Sequence, residues 1–237
     1  MKNHKGADQI HGAFHEIALL RSANESHPSR SVTLRAVRAY QSKRFQDTYH
    51  DLLASEDFGP ACDFFLTELY GDQDFSQRDR EFERIAKSIE RMFPKSILEV
   101  AIDLAELHAL TELLDTRMGE ALESSGYRPG DVPLDSATYT VAWRMCELSV
   151  ERAQQLKMVL DLGKRLERIT TTRGIRLTLK AMRLPARAAN LAALQSFLEK
   201  GFETFSELAQ LKGRIDLFLK TIQEREETWI RSLDGPS

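Results

Sequence analysis

The sequence predicts an all-α protein, a multi-helix bundle of about eight helices in two packed halves. Most apolar residues recur at intervals of three and four positions, the period of an amphipathic helix. Glycine and proline, which interrupt helices, account for only 12 and 7 of the 237 residues. Since no stretch rich in β-branched and aromatic residues has a period of two, we expect no sheet.

The N-terminal helices are bounded by recognisable cap residues. Gly71 readily adopts the left-handed conformation that ends many helices. Ser76 with Asp79, and Ser96 with Glu99, are typical of helix starts that combine an N-cap with a nearby carboxylate. Together with the apolar periodicity, these signals predict helices over residues 7–23, 31–54, 58–70, 76–93 and 96–123.

A loop divides the chain into two helical halves. Glycine, proline and serine cluster between residues 123 and 133. We take residues 127–134 as the connection between an N-terminal half, 1–126, and a C-terminal half, 135–237, which can still form one compact domain. The second half is expected to contain helices over residues 135–169, 174–184, 185–208 and 213–233, with Pro185 at the first position of its helix.

The composition is that of an ordinary globular protein. Hydrophobic residues make up 42% and charged residues 29%, which excludes a disordered chain. The first apolar run, residues 17–20, is too short for a signal-peptide core or a membrane span, so we expect a cytoplasmic protein with no transmembrane segment. Cys62 and Cys146 show no C-x-x-C or Cys/His spacing, which predicts reduced thiols and no metal site.

The helix over residues 96–123 changes its apolar face near residue 107. Beyond that point His108, Glu112 and Asp115 continue the side that was apolar before it. His108 therefore lies where apolar cover gives way to carboxylates, with Glu112 one turn later. Such an imidazole suits an acid/base group or a metal ligand, or simply a hydrogen-bonded histidine where the packing changes.

A second feature is a run of basic residues. Between residues 164 and 187 there are eight basic side chains against the single acid Glu167. Five of them fall at helical spacings of three and four and form what we call the basic stripe: Arg173, Arg176, Lys180, Arg183 and Arg187. This stripe suits an acidic protein, a nucleic acid or an anionic membrane surface. Alternatively it is a solvated surface, or it pairs internally with the acidic helix 99–123.

One segment resembles a known family. The run FFLTELYGDQDFSQRD at residues 64–79, with segments 106–112, 201–202 and 221–226, resembles an uncharacterised family of bacterial, mainly proteobacterial, all-helical proteins. The resemblance covers most of the chain from about residue 44 onward. It implies a bacterial origin and no particular chemistry.

The corner inside this motif supplies further candidate residues. Arg78 and Glu68 are expected to pair across the turn between two helices. If the corner frames a pocket, its polar groups are Glu68, Tyr70, Arg78, His108 and Glu112.

The sequence favours a non-enzymatic binding or regulatory protein that uses the basic stripe. No nucleophile elbow, glycine-rich phosphate loop or zinc-ligand pattern is present, so no catalytic residue and no cofactor is assigned. The alternative is a helical small-molecule-binding or metal-dependent enzyme centred on His108 and Glu112. Exposed apolar helix faces would also allow a homodimer.

Overall fold

The computed structural model describes residues 5–68, 77, 79–84, 95–129, 133–172, 174–188, 192–210 and 213–235. Within these ranges the protein is all-helical and contains no strand, as predicted. The helices number eleven in these ranges, against about eight expected, and residues 79–84 add a short helical stretch.

In chain order the helices are α1 (Lys5–Glu25), α2 (Pro28–Thr48), α3 (His50–Leu53), α4 (Gly59–Glu68), α5 (Lys95–Ser124), α6 (Ser136–Cys146), α7 (Ser149–Thr170), α8 (Ile175–Ala181), α9 (Arg183–Ala188), α10 (Ala192–Gln210) and α11 (Arg214–Asp234). The expected N-cap of α6 is present, since the Asp135 carboxylate accepts a hydrogen bond of 2.7 Å from the backbone N–H of Thr138.

Two of the predicted helices are interrupted, and one predicted boundary is shifted. The expected helix over residues 31–54 divides into α2 and α3 at Tyr49. The expected helix over residues 135–169 divides into α6 and α7, because Glu147 adopts the left-handed conformation with φ of 51°. The basic stripe is divided between α8 and α9 at Met182, so Pro185 is the third residue of α9 and the prediction that it starts a helix was wrong.

Helix α5 is the centre of the fold. It packs against α1, α2, α6 and α7. Its first half buries one side through Val100, Ala101 and Ala105, whereas residues 112–122 are buried on nearly all sides. The predicted change of face near residue 107 thus corresponds to the point where neighbouring helices begin to surround α5.

The core consists of two hydrophobic clusters. The larger one extends from α1 to α11, and the smaller one joins Val37 and Met118 to Tyr139, Trp143 and Leu233. Both clusters contain residues from before and after the loop at 127–134, and the division of the chain into halves at that loop stays a prediction. In the described part of the chain, no helix combines the length and apolarity that a bilayer crossing requires.

Candidate functional site

A group of buried carboxylates and half-buried cationic or imidazole side chains lies where α5 meets α1 and α2. We call it the ion-pair network; it consists of Arg21, Arg38, Asp79, His108, Glu112 and Asp115. The side chain of Glu112 is only 4% exposed. Burial of so many charges is unfavourable unless each has a close partner.

Arg21 of α1 joins three members of the network. Its guanidinium lies 2.9 Å from Asp79 Oδ2 and 3.2 Å from Glu112 Oε2. The same group lies 3.2 Å from His108 Nε2. The structure therefore brings His108 and Glu112 together, as the sequence predicted, but through an arginine that belongs to another helix.

Arg38 of α2 neutralises the other side of Glu112. Its Nη2 donates a 2.7 Å hydrogen bond to Glu112 Oε1, and its Nε lies 3.4 Å from Asp115 Oδ2. Gln41, one turn later on α2, donates to Asp115 Oδ1 at 3.1 Å and to the hydroxyl of Tyr139 at 3.2 Å. Both carboxylates are thus held by donors from α2.

Burial and neighbouring charges act in opposite directions on the ionisation of Asp115 and Arg38. Complete burial raises the pKa of Asp115, while Arg38, Arg152 and the Gln41 hydrogen bond act in the opposite direction. Burial lowers the pKa of Arg38, but Asp115 and Glu112 outweigh it and leave the pKa raised. We assign an ionised pair, because Arg38 and Gln41 both direct donors at the carboxylate.

His108 also faces an apolar cavity. Its Nε2 lies 3.0 Å from Asp79 Oδ2, and both side chains line a small space with Phe14 and Phe82 among its walls. When Nε2 carries the proton it donates to Asp79, which leaves Nδ1 as a base. No described residue forms a hydrogen bond to Nδ1. This geometry suits proton transfer, although Arg21 competes for the same Nε2 atom.

The network is a poor metal site. Both Glu112 oxygens already accept hydrogen bonds from guanidinium groups, so a cation would have to displace Arg21 and Arg38. Across the described ranges, no three His, Cys, Asp or Glu side chains are grouped to hold a metal ion. Cys62 is buried, and burial raises the pKa of its thiol to about 12.

Other carboxylates of α5 also have arginine partners. Arg165 lies 3.0 Å from Glu99 and 2.7 Å from Asp103, and Arg30 lies 2.7 Å from Glu123. Among the described residues of the basic run, Arg165 alone forms an ion pair with α5. The described acids of α5 are therefore paired mainly with arginines of α1, α2 and α7, and not with the described members of the basic stripe.

The described members of the basic stripe lie on the surface. Arg176, Lys180, Arg183 and Arg187 are all exposed, and Arg183 pairs with Glu199 of α10 at 2.6 Å. On the opposite side of α8, Ile175 and Leu179 are buried, as the helical period predicts. Arg173 lies outside the described residues.

Comparison with known proteins identifies the family. A family model described as a domain of unknown function (DUF8198) matches residues 20–235. The chain belongs to this family. Searches of curated proteins and of solved structures found no match. The predicted resemblance to an uncharacterised domain family is thereby confirmed, while the bacterial range of the DUF8198 family stays a prediction.

The corner of the motif cannot be assigned a geometry. Tyr70 and Arg78 lie outside the described residues, as does the side chain of Glu68, the last residue of α4. The expected Arg78–Glu68 pair therefore stays a prediction. Of the candidate pocket residues in this DUF8198 member, the structure places only His108 and Glu112.

Sequence reasoning missed the arginines of the network, although a signal for them exists. The buried stripe of α1 runs through Ile10, Phe14 and Ile17, and continuing the same spacing leads to Arg21 and then to the buried Asn24. A polar residue that continues an apolar stripe is expected to be buried with a partner.

A parallel signal is present in α2. There Gln41 falls between Val37 and Phe45 on the buried side, and all three side chains are buried. If Arg21 and Gln41 had been interpreted as interior polar residues, the sequence would have predicted hydrogen-bond donors facing the acids of α5.

Proposed function

We propose that this DUF8198 member is a non-enzymatic binding protein of the bacterial cytoplasm, and that it recognises an acidic protein through the basic stripe. The observation that carries the proposal is the combination of charge and exposed apolar surface on α8 and α9. Leu177 is 73% exposed and Leu184 is 77% exposed, and both lie among the exposed residues Arg176, Lys180 and Arg183. Exposed leucines of this kind are typical of interaction surfaces when they form a contiguous patch.

The leucines favour a protein partner over a nucleic acid. Protein interfaces combine an apolar centre with a charged rim, whereas nucleic-acid surfaces offer phosphates that bind arginine and lysine without needing leucine. Most described cations of the stripe form no ion pair within the protein. Among the described residues, only Arg183 of the stripe has a carboxylate within ion-pair distance. The remaining cations are available to steer an acidic partner.

The test compares two double variants of the full chain in affinity capture followed by quantitative mass spectrometry. Arg176→Glu with Lys180→Glu is expected to lose a salt-sensitive partner that the wild type retains. A matched control, Lys157→Glu with Lys220→Glu, reverses two exposed lysines on α7 and α11 and should retain that partner. Leu177→Ser should weaken binding of the purified partner without changing its salt dependence.

Two results would redirect the proposal. An unchanged set of partners in the Arg176→Glu, Lys180→Glu variant would remove the basic stripe as the contact surface. Binding of duplex DNA that depends on the stripe but not on Leu177 would favour a nucleic acid instead.

A second candidate is a small-molecule-binding enzyme centred on His108 and Glu112. The observation in its favour is the His108–Asp79 pair at the wall of an apolar cavity. Native mass spectrometry of the purified chain tests it, since a retained ligand should be lost from His108→Ala. Elemental analysis tests the metal-dependent version of the same idea.

A homodimer is the remaining candidate assembly. The exposed leucines of the stripe would also suit a second copy of the chain. Sedimentation of the wild type against Leu184→Ser tests it, since a homodimer through this surface should become monomeric in the variant.

A further inference from the structure

The exposed apolar residues of the described chain are concentrated on two surfaces. Eight large apolar side chains are exposed there, and five of them fall within residues 141–150 and 177–184. The second group belongs to the basic stripe. The first group consists of Val141, Met145 and Val150, which are 52%, 49% and 76% exposed, at the end of α6 and the start of α7. Exposed apolar side chains that occur in groups are typical of surfaces that contact another protein.

The surface at the turn between α6 and α7 also carries unpaired acids. Val141 and Met145 lie one turn apart on α6, on the side opposite the buried Tyr139 and Trp143. Glu147 in the turn is exposed and Glu151 on the first turn of α7 is half-buried, and neither forms an ion pair with any residue that the structure describes. We call this surface the acidic patch; it consists of Val141, Met145, Glu147, Val150 and Glu151.

Neighbouring cations do not neutralise the acidic patch. Residues 135–151 contain three acids and one cation, Arg144, whose Nε donates a 2.7 Å hydrogen bond to the carbonyl of Leu233. Arg117 and Glu120 of α5 lie close enough to Cys146 to influence it electrostatically, but they pair with each other at 2.9 Å. The acidic patch therefore keeps a net negative charge.

The acidic patch and the basic stripe lie at opposite ends of α7. The patch surrounds the start of α7 at Ser149, and the stripe follows the end of α7 at Thr170. Ile175 of α8 lines the same apolar space as Ile169 of α7, which keeps the stripe at that end. Since the 22 residues of α7 extend about 33 Å, the two surfaces of one chain are too far apart to contact each other.

The two surfaces complement each other in charge and in apolar content. The basic stripe presents Leu177 and Leu184 beside cations, and the acidic patch presents Met145 and Val150 beside carboxylates. A contact between them would bury apolar side chains at its centre and bring unpaired cations next to unpaired acids. The chain as a whole is itself acidic, with a net charge of −3.

We propose that the acidic protein recognised by the basic stripe is a second copy of this chain, which presents its acidic patch. The inference rests on the function proposed above, because it uses the same stripe. Each contact joins two different surfaces, so the copies associate head to tail and form a ring or an open chain. A symmetric dimer through the stripe alone would instead place like charges against each other.

Sedimentation of the full chain over a range of concentrations is the first measurement. The average mass should rise above the 27.0 kDa of one chain as the concentration increases. It should return towards that value at high salt, because salt screens the attraction between exposed charges.

Two variants, each with one surface impaired, test the head-to-tail contact. The stripe variant, Arg176→Glu with Lys180→Glu, should be monomeric. The patch variant, Met145→Ser with Val150→Ser, should associate roughly 10-fold more weakly than the wild type, because it loses the apolar centre of the contact. Mixed in equal amounts, the two variants should form a complex of two chains, since the intact patch of one meets the intact stripe of the other.

A matched control changes apolar residues outside both surfaces. Val32→Ser with Leu217→Ser replaces two exposed side chains of α2 and α11 and should associate as the wild type does. Formation of the mixed complex also requires both impaired variants to be folded, and circular dichroism of each variant checks this separately.

Three results would overturn the inference. One is a wild type that stays monomeric at every concentration, which would leave affinity capture to decide whether the stripe binds a different acidic protein. Another is a patch variant that associates as the wild type does while the stripe variant does not, as expected for a symmetric dimer. The third is the absence of a complex when the two variants are mixed. Failure of the proposed function itself would look different, because the stripe variant would then retain every partner of the wild type.

Discussion

At the scale of single residues, the interior of this protein is organised by arginines that reach carboxylates on another helix. Glu112 illustrates the arrangement, since Arg21 from α1 and Arg38 from α2 approach its two oxygens separately. Neither arginine has its partner in its own helix. The network therefore fixes how three helices are placed relative to one another.

Replacement of Glu112 by Gln should destabilise the protein markedly. The substitution keeps the shape of the side chain but removes the anion that two half-buried guanidinium groups share, while Arg21 keeps Asp79 and Arg38 keeps Asp115. The expected cost is about 2 kcal/mol, the scale of a lost hydrogen bond to a charged group. Urea unfolding measures the free energy of unfolding. Glu106→Gln provides the control, because Glu106 is an exposed acid of the same helix and its loss should change stability by less than about 0.5 kcal/mol. Equal stability of the two variants would mean that the network contributes little.

The sequence analysis identified Glu112 and Asp115 on one side of α5, but it did not predict that they are buried. The pattern placed His108 and Glu112 on one side of α5 and suggested a site. It could not show that the same side faces Arg21 and Arg38, because those residues are more than 70 positions away and only packing brings them near. Helix periodicity describes one helix at a time.

At the scale of helices, prediction succeeded where apolar periodicity is long and failed where a helix is broken without glycine or proline. Helices α1, α5 and α11 begin and end within a few residues of their predicted bounds. The breaks at Tyr49 and Glu147 were missed, and the boundary predicted between residues 184 and 185 lies at Met182 instead. Neither tyrosine nor glutamate is a helix breaker, so helix propensity gives no signal for these two breaks.

One contact between helices should depend on pH. Arg225 of α11 donates two hydrogen bonds, of 2.6 and 2.7 Å, to Asp51 of α3, and they hold the pKa of Asp51 below its ordinary value. A carboxyl whose pKa is lower in the folded state stabilises the protein above its unfolded pKa, near 4, and loses that contribution as the pH falls further. Since the Asp51 side chain is 46% exposed, the effect is about 1 kcal/mol or less.

The measurement is the stability difference between the wild type and Asp51→Asn at neutral pH and at acidic pH. We expect the difference to shrink as the pH falls below about 4. Arg225→Gln should reproduce the same dependence, because it removes the other half of the pair. A difference that stays constant with pH would contradict this assignment.

At the scale of the whole molecule, the two hydrophobic clusters join residues on both sides of the loop at 127–134. The smaller cluster packs Val37 and Met118 against Tyr139 and Trp143, and the larger one reaches from α1 to α11. Each cluster therefore draws residues from both proposed halves. The sequence signal for two halves is a predicted loop, and a loop does not determine which residues form the core.

We therefore expect one cooperative unfolding transition. Far-ultraviolet dichroism reports all helices, whereas tryptophan fluorescence reports the region around Trp143 and Trp229. The two curves should coincide in urea. Two separate transitions would instead support independently folding halves, 1–126 and 135–237.

The short connection between α6 and α7 has a consequence for how this protein can change. Trp143 and Arg152 lie on either side of Glu147, and their 4.6 Å contact spans that turn. Inserting one residue into α7 just after Arg152 would rotate that side chain by about 100° relative to the rest of the helix, which packs against α5 and α11, and carry the guanidinium away from the indole ring. The contact between Trp143 and Arg152 therefore depends on the number of residues in α7 as well as on their identity.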